Sequence, residues 1–243
     1  MSEKSKEIRE EKLFFKKVFL KFIWLFVFSG TVFGGYKFIS QENVLPIKEI
    51  GISGEFNQLS ARELHTLIVD GVSGNFFTLS VEKIYQQFYA LPWVEKIWVH
   101  RVWPDKINIE IRENIAVAIL KNRGLLNSAG TVFSADTIGF EDTLPTFFVA
   151  NEYEQEAIAA YHRYDKILSQ ANVKIRQFIF DTRKAQRIIL ANGLALKLGR
   201  VETEYRLKRF IRAYTSNLLE KKNEIEGVDL RYTNGFSVKW KQA

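Results

Sequence analysis

The sequence has no cysteine and only three histidines in 243 residues. The first absence excludes a disulfide scaffold, thiolate catalysis and every cysteine-based zinc or iron–sulfur site. The second leaves only His65, His100 and His162, too few for a histidine-rich metal centre. No G-x-S-x-G, H-E-x-x-H, Walker or G-x-G-x-x-G arrangement occurs. Each histidine reads as structural or superficial, because His65 flanks an apolar helix face, His100 falls in a strand and His162 follows Tyr161. Asp181 and Asp229 have no carboxylate partner in the local sequence. No catalytic residue, cofactor or metal is expected. A hydrophobic content of 47% with 26% charged residues is enough for packed cores and unlike a disordered or collagen-like chain.

Charge is unevenly distributed. The formal charge is +7, and more than half of it lies in residues 1–39, which carry eight Lys/Arg against four Glu. A nucleic-acid binder would concentrate its basic excess on the folded part, so no nucleic-acid partner is expected. From Phe22 to Tyr36 no charge interrupts FIWLFVFSGTVFGGY, and with Lys21 snorkelling the apolar run extends back to Val18. Such a run approaches the ~20 residues needed to cross a bilayer core. Trp24 and Tyr36 lie near its ends, where amphipathic rings favour the headgroup region. We expect a cytoplasmic tail over 1–20 and a transmembrane helix over 21–41. The Lys/Arg excess ahead of the run predicts a cytoplasmic N-terminus and an exported body. Bulky Val32-Phe33 argue against cleavage as a signal peptide.

Residues 47–115 read as one domain. Ile47, Ile50 and Ile52 suggest a strand closed by Ser53-Gly54. Ser60 and Glu63 form a capping box, followed by Leu64, Leu67, Ile68 and Val72 at helical spacing. Asn75 to Ser80 reads as an apolar linker. Val81, Ile84, Phe88 and Leu91 make a second helical stripe, stopped at Pro92. A strand from Val94 to Trp103 precedes the Pro104-Asp105 turn, after which Ile107, Ile109 and Ile111 alternate with polar residues as in a half-buried strand. The order is strand, helix, helix, strand, strand.

Residues 116–243 read as mostly antiparallel strands with two helices. Strands are expected at Val117–Leu120, Leu125-Leu126, Val132-Phe133, Ile175–Asp181, Arg187–Leu190 and Leu194–Leu198, with Asn192-Gly193 as a hairpin signal. Thr137 to Asp142 reads as a loop ended by Leu144-Pro145. Helices are expected over Glu152–Ala171 and Val201–Leu219, the second with Leu207, Phe210, Ile211, Tyr214 and Leu218 inward. Arg206, Lys208, Arg209 and Arg212 then fall on its solvated side, and the charges from Glu220 to Glu226 read as a solvated helix end. Two closing strands, Val228–Tyr232 and Phe236–Trp240, are joined through Thr233-Asn234-Gly235. The last strand has no later element to pair with and is expected at a sheet edge. Trp98, Trp103 and Trp240 fall on strands with one face open to contacts. The fold class is therefore α+β: one N-terminal transmembrane helix, a β-α-α-β-β domain and a C-terminal β domain.

Particular words accompany this order. Leu91-Pro92-Trp93-Val94, Val99-His100-Arg101-Val102-Trp103-Pro104-Asp105 and Ile109-Glu110-Ile111-Arg112-Glu113 resemble the POTRA domain of the FtsQ/DivIB family of bacterial cell-division proteins. Gly130-Thr131-Val132-Phe133, Leu196-Lys197-Leu198-Gly199-Arg200, Arg206-Leu207-Lys208-Arg209-Phe210 and Val228-Asp229-Leu230-Arg231-Tyr232 resemble the same family in the same order. Ala116 departs from the pattern, standing where the family usually has a proline.

The resemblance implies an essential, non-enzymatic scaffold of the division septum in the inner membrane. It implies FtsB and FtsL as partners on the exported part, with upstream division proteins recruited through the POTRA domain. It further implies strand addition by an FtsB-type partner at the final hairpin, which by position implicates Arg231, Tyr232, Phe236 and Trp240. On the POTRA domain, Lys48 and Glu49 mark a candidate sheet edge. The competing readings are a membrane-tethered periplasmic enzyme, for which no polar site is apparent, and a POTRA-type assembly chaperone, for which tandem units and a barrel are lacking.

Overall fold

The computed structural model describes residues 3–41, 43–71, 74–218 and 220–241. The chain forms two compact units, Met1–Glu113 and Asn114–Ala243. The first opens with helix α1 (Glu3–Ile39). Its segment Phe19–Ile39 is 21 residues long and apolar, with none of it buried against protein. At 1.5 Å per residue it extends about 31 Å, the thickness of a bilayer core.

The rest of this unit follows the expected order: β1 (Glu49–Ser53), α2 (Ala61–Gly71), α3 (Val81–Tyr89), β2 (Val94–Val102) and β3 (Lys106–Glu113). Strand β3 is central, parallel to β1 and antiparallel to β2. Its Ile107, Ile109 and Ile111 point to one face and are buried with Leu64, Ile84 and Phe88 of the two helices. Alternation on the strand and 3.6-residue spacing on the helices thus meet in one core. The Ser60–Glu63 box forms as expected, Glu63 N donating to Ser60 Oγ (3.2 Å) and Ser60 N to Glu63 Oε2 (3.1 Å). The Ser60 hydroxyl also donates to Glu63 Oε2 (2.8 Å), and this bond, with that of the Ser60 amide, holds the Glu63 carboxyl below its usual pKa. Val72, assigned to this helix from its spacing, lies outside the described residues, as does Leu219 farther on.

Two features here were not legible as local pattern. Glu113, 7% exposed, accepts hydrogen bonds from the backbone amides of Asn57 (2.7 Å), Gln58 (2.8 Å) and Leu59 (2.7 Å). It thereby fastens the loop before α2 to the end of β3. Asn75, in the supposed apolar linker, is 0% exposed and organises a polar turn. Its Oδ1 accepts from the amides of Phe77 and Thr78 (both 2.9 Å), and its Nδ2 donates to the carbonyls of Ile39 (2.5 Å) and Gln41 (2.8 Å).

Among the described residues the second unit is one nine-stranded sheet with two α-helices. Its elements are β4 (Ala116–Leu120), β5 (Gly124–Asn127), β6 (Val132–Phe133), β7 (Thr146–Val149), α4 (Glu154–Ser169), β8 (Ile175–Phe180), β9 (Gln186–Leu190), β10 (Ala195–Gly199), α5 (Thr203–Ala213), β11 (Ile225–Asp229) and β12 (Ser237–Trp240). The strand order is β12-β11-β10-β9-β8-β7-β4-β5-β6. Most neighbours are antiparallel, and the pairs β4–β7, β7–β8 and β10–β11 are parallel. Strand β7 was not expected. It lies between β4 and β8 through parallel pairings that no hairpin signal announces. Phe147, Phe178, Tyr164, Leu207 and Phe210 centre the core. The Tyr164 hydroxyl is shared with Gln186 and with Thr203 (2.6 Å), and burial raises its pKa. Helix α5 is shorter than its apolar stripe, ending at Ala213 and continuing as a π-helical turn, Tyr214–Leu218. The charge run taken as a helix end is an exposed turn up to Glu224, after which buried Ile225 begins β11.

Candidate docking surface at the sheet edge

Among the described residues strand β12 pairs only with β11, so its outer side is an edge of the sheet. The register sets Val228 opposite Val238 and Asp229 opposite Ser237, and Trp240 reaches Ile225 across a bulge. Tyr232 is 58% exposed and Trp240 45% exposed. Large aromatic surface left open beside unpaired backbone groups suits an added strand carrying apolar side chains.

The expected residues do not all behave alike. Strand β11 ends at Asp229, so Arg231 and Tyr232 lie in the turn rather than in the ladder. Phe236 also precedes β12. Half-buried, it packs edge-on against Phe210 of α5 at 6.2 Å and closes the core. Arg231 is not a free guanidinium. Its Nε donates to Asp229 Oδ1 (2.9 Å) and its Nη2 to Asp229 Oδ2 (2.7 Å). Those bonds hold the Asp229 carboxyl below its usual pKa and raise that of Arg231. A partner carboxylate would have to share this fork or displace Asp229.

The sequence reading missed the residue that shapes this edge. Arg209 of α5, assigned to the solvated side, donates Nη1 to the Thr233 carbonyl (2.7 Å) and Nη2 to those of Tyr232 (2.8 Å) and Gly235 (2.7 Å). Arg206 likewise donates to Leu198 O (2.9 Å). One planar fork therefore gathers three carbonyls of a turn that has no side-chain core of its own. The only signal in sequence was the recurrence of arginine at i and i+3 on α5, facing the sheet rather than water.

On the first unit, β1 is an edge strand, paired among the described residues only with β3. Lys48 bridges to Asp105 (2.9 Å) and Glu49 to Lys106 (2.7 Å). Lys48 is thus engaged with the β2–β3 turn and Glu49 with the first residue of β3, and β2 forms the opposite edge. Trp98 and Trp103 are exposed, Trp98 beneath the Arg112 guanidinium at 5.7 Å. His65, His100 and His162 are all exposed, and among the described residues no three His, Asp or Glu side chains gather as metal ligands would.

Known proteins resemble the chain along both units. A family model described as "POTRA domain, FtsQ-type" matches residues 45–114, and one described as "Cell division protein FtsQ/DivIB, C-terminal" matches 117–231. A cell division protein FtsQ of Shewanella oneidensis is 31% identical over 221 residues, covering 89% of this chain and 84% of the relative. The chain belongs to the FtsQ/DivIB family. An FtsQ of Allochromatium vinosum is 32% identical over 217 residues, covering 89% and 86% of the two chains. One of Aliivibrio fischeri is 28% identical over 231 residues, covering 94% and 87%. A role in cell division, a POTRA domain and a single N-terminal apolar helix fitting a transmembrane span accompany that membership. The C-terminal match ends at Arg231, at the start of the turn that Arg209 braces.

Proposed function

We propose that the protein is an essential, non-enzymatic scaffold of the division septum, anchored in the inner membrane with its N-terminus in the cytoplasm. In this reading it recruits an FtsB/FtsL pair through strand addition on β12. The observation that carries it is the open outer side of β12 flanked by exposed Tyr232 and Trp240. Partner backbone would continue the ladder, while the two rings supply the buried apolar anchors on which interface affinity concentrates. Arg231 contributes through its remaining N–H groups, and Phe236 acts from beneath as part of the supporting core. The POTRA unit, with its β1 edge at Lys48 and Glu49, is the proposed contact for upstream division proteins.

The test uses the full-length protein with Tyr232→Ala or Trp240→Ala. The expected result is unchanged melting with loss of the FtsB/FtsL pair in a pull-down from division-competent cells. Early melting of both variants, or capture equal to wild type, would remove the docking assignment. Topology is checked by a reporter active only outside the cytoplasm, expected to work at the C-terminal end and to fail ahead of Lys17. Charge reversal at Lys48 and Glu49 is expected to impair septal recruitment.

A further inference from the structure

The turn around Asn75 has a second consequence. Asn75 Nδ2 donates to the carbonyls of Ile39 and Gln41, and Ile39 is the last residue of the apolar span. The amide of Phe76 donates to Leu45 O (3.1 Å), and Pro46 and Asn75 form a β-bridge. The loop from Gly74 to Thr78 is thus tied by side chain and backbone to the outer end of the helix. Within it Phe76 turns inward and is buried, while Phe77 is 49% exposed.

The exposed ring is held in place rather than left loose. Phe77 stands edge-on to Phe76, centroids 5.5 Å apart and planes at 86°, and its amide is bonded to Asn75 Oδ1 (2.9 Å). Two residues of chain reach about 7 Å at most, so Phe77 stays close to a group bonded to the end of the span. The polar zone flanking the hydrocarbon core is roughly 5–7 Å deep in each leaflet. An apolar ring fixed at that depth finds its cover in the bilayer that already surrounds Phe38 and Ile39, both exposed on α1.

We propose that Phe77 is a second membrane contact, a ring seated in the headgroup–acyl boundary and positioned there by Asn75, so that the first unit meets the lipid surface at two points. The proposal rests on the reading of Phe19–Ile39 as a membrane anchor, and the occupant is the bilayer of that same anchor.

Because the chain is free of cysteine, Phe77→Cys gives a unique site for an environment-sensitive fluorophore. The labelled full-length protein would be reconstituted into phosphatidylethanolamine/phosphatidylglycerol vesicles. The expected result is a blue-shifted emission at position 77, quenched by lipids spin-labelled near the headgroup and shielded from aqueous iodide. Quenching by iodide with none from lipid would overturn the proposal, and shielding from both would overturn it in favour of a protein cover. A parallel Phe28→Cys label must be quenched by lipids spin-labelled deep in the acyl chains. If it is not, the anchor reading has failed and this proposal with it; if it is, the result at 77 judges Phe77 alone. Adding Asn75→Ala is expected to shift label 77 from lipid towards iodide quenching, and an unchanged pattern would overturn the positioning role of Asn75.

Discussion

Asp229 and Arg231 form a two-pronged ion pair across two residues of chain, Nε to Oδ1 at 2.9 Å and Nη2 to Oδ2 at 2.7 Å. It closes the end of β11 and fixes where the guanidinium points, at the mouth of the turn leading to the edge strand.

The pair has a pH signature. Arg231 lowers the carboxyl pKa of Asp229 in the folded state, so its stabilisation is fully present above the unfolded carboxylate value, about 3.9. It is lost as pH falls through the lower folded value. Arg231→Ala is expected to remove this component and to cost about 1 kcal/mol at neutral pH, since the Arg231 side of the pair is open to solvent although Asp229 is half-buried. Thermal melts of both proteins at pH 7 and pH 3 check this: the gap between them should narrow at the lower pH.

Arg209 carries more. Arg209→Ala strands three turn carbonyls and removes the polar tie of α5 to the hairpin, leaving the Phe210–Phe236 contact. A loss of about 1–3 kcal/mol is expected, together with faster amide exchange from Thr233 to Trp240. Arg209→Lys keeps the charge but cannot present a planar fork, so it should restore little. Hydrogen exchange read by mass spectrometry distinguishes the two outcomes.

Glu113 is the corresponding tie in the first unit. Glu113→Ala removes the acceptor of three backbone amides, one of them the buried amide of Leu59. A destabilisation of about 2–4 kcal/mol is expected, and Glu113→Gln, which keeps one acceptor oxygen without the charge, should fall between. Chemical denaturation monitored by tryptophan emission, with Trp93, Trp98 and Trp103 close by in sequence, gives the measurement.

What the sequence made legible were features whose causes lie close together along the chain. The Ser60–Glu63 box, the Ile107–Ile111 alternation and the uncharged run after Lys21 each state their structure within a few residues. Strand β7 was hidden because Thr146–Val149 is short and its partners β4 and β8 are distant and parallel. Asn75 was read as part of an apolar linker because its neighbours are Phe76 and Phe77, whereas its bonds reach back to Ile39. The edge hairpin was half legible. Its turn and its place at the end of the chain were apparent, but alternation carried Arg231, Tyr232 and Phe236 into strands that stop short of them. Arg209 was hidden for the reason that Glu113 was: a charged residue on an amphipathic pattern does not declare that carbonyls or amides from elsewhere will surround it.

Strand β12 spans only four residues, Ser237–Trp240, and alternate residues of an antiparallel edge point their backbone groups outward. An added strand would therefore gain only a few ladder bonds, each worth about 1 kcal/mol net. Such a contact is short-lived when its two members meet in dilute solution. If the proposed partner shares the membrane of this protein, the same members would face each other at a high effective concentration, and a weak seam would become sufficient. Under the proposed anchoring and docking, a brief edge strand would favour an assembly that holds while its parts share a patch of bilayer and comes apart once they disperse.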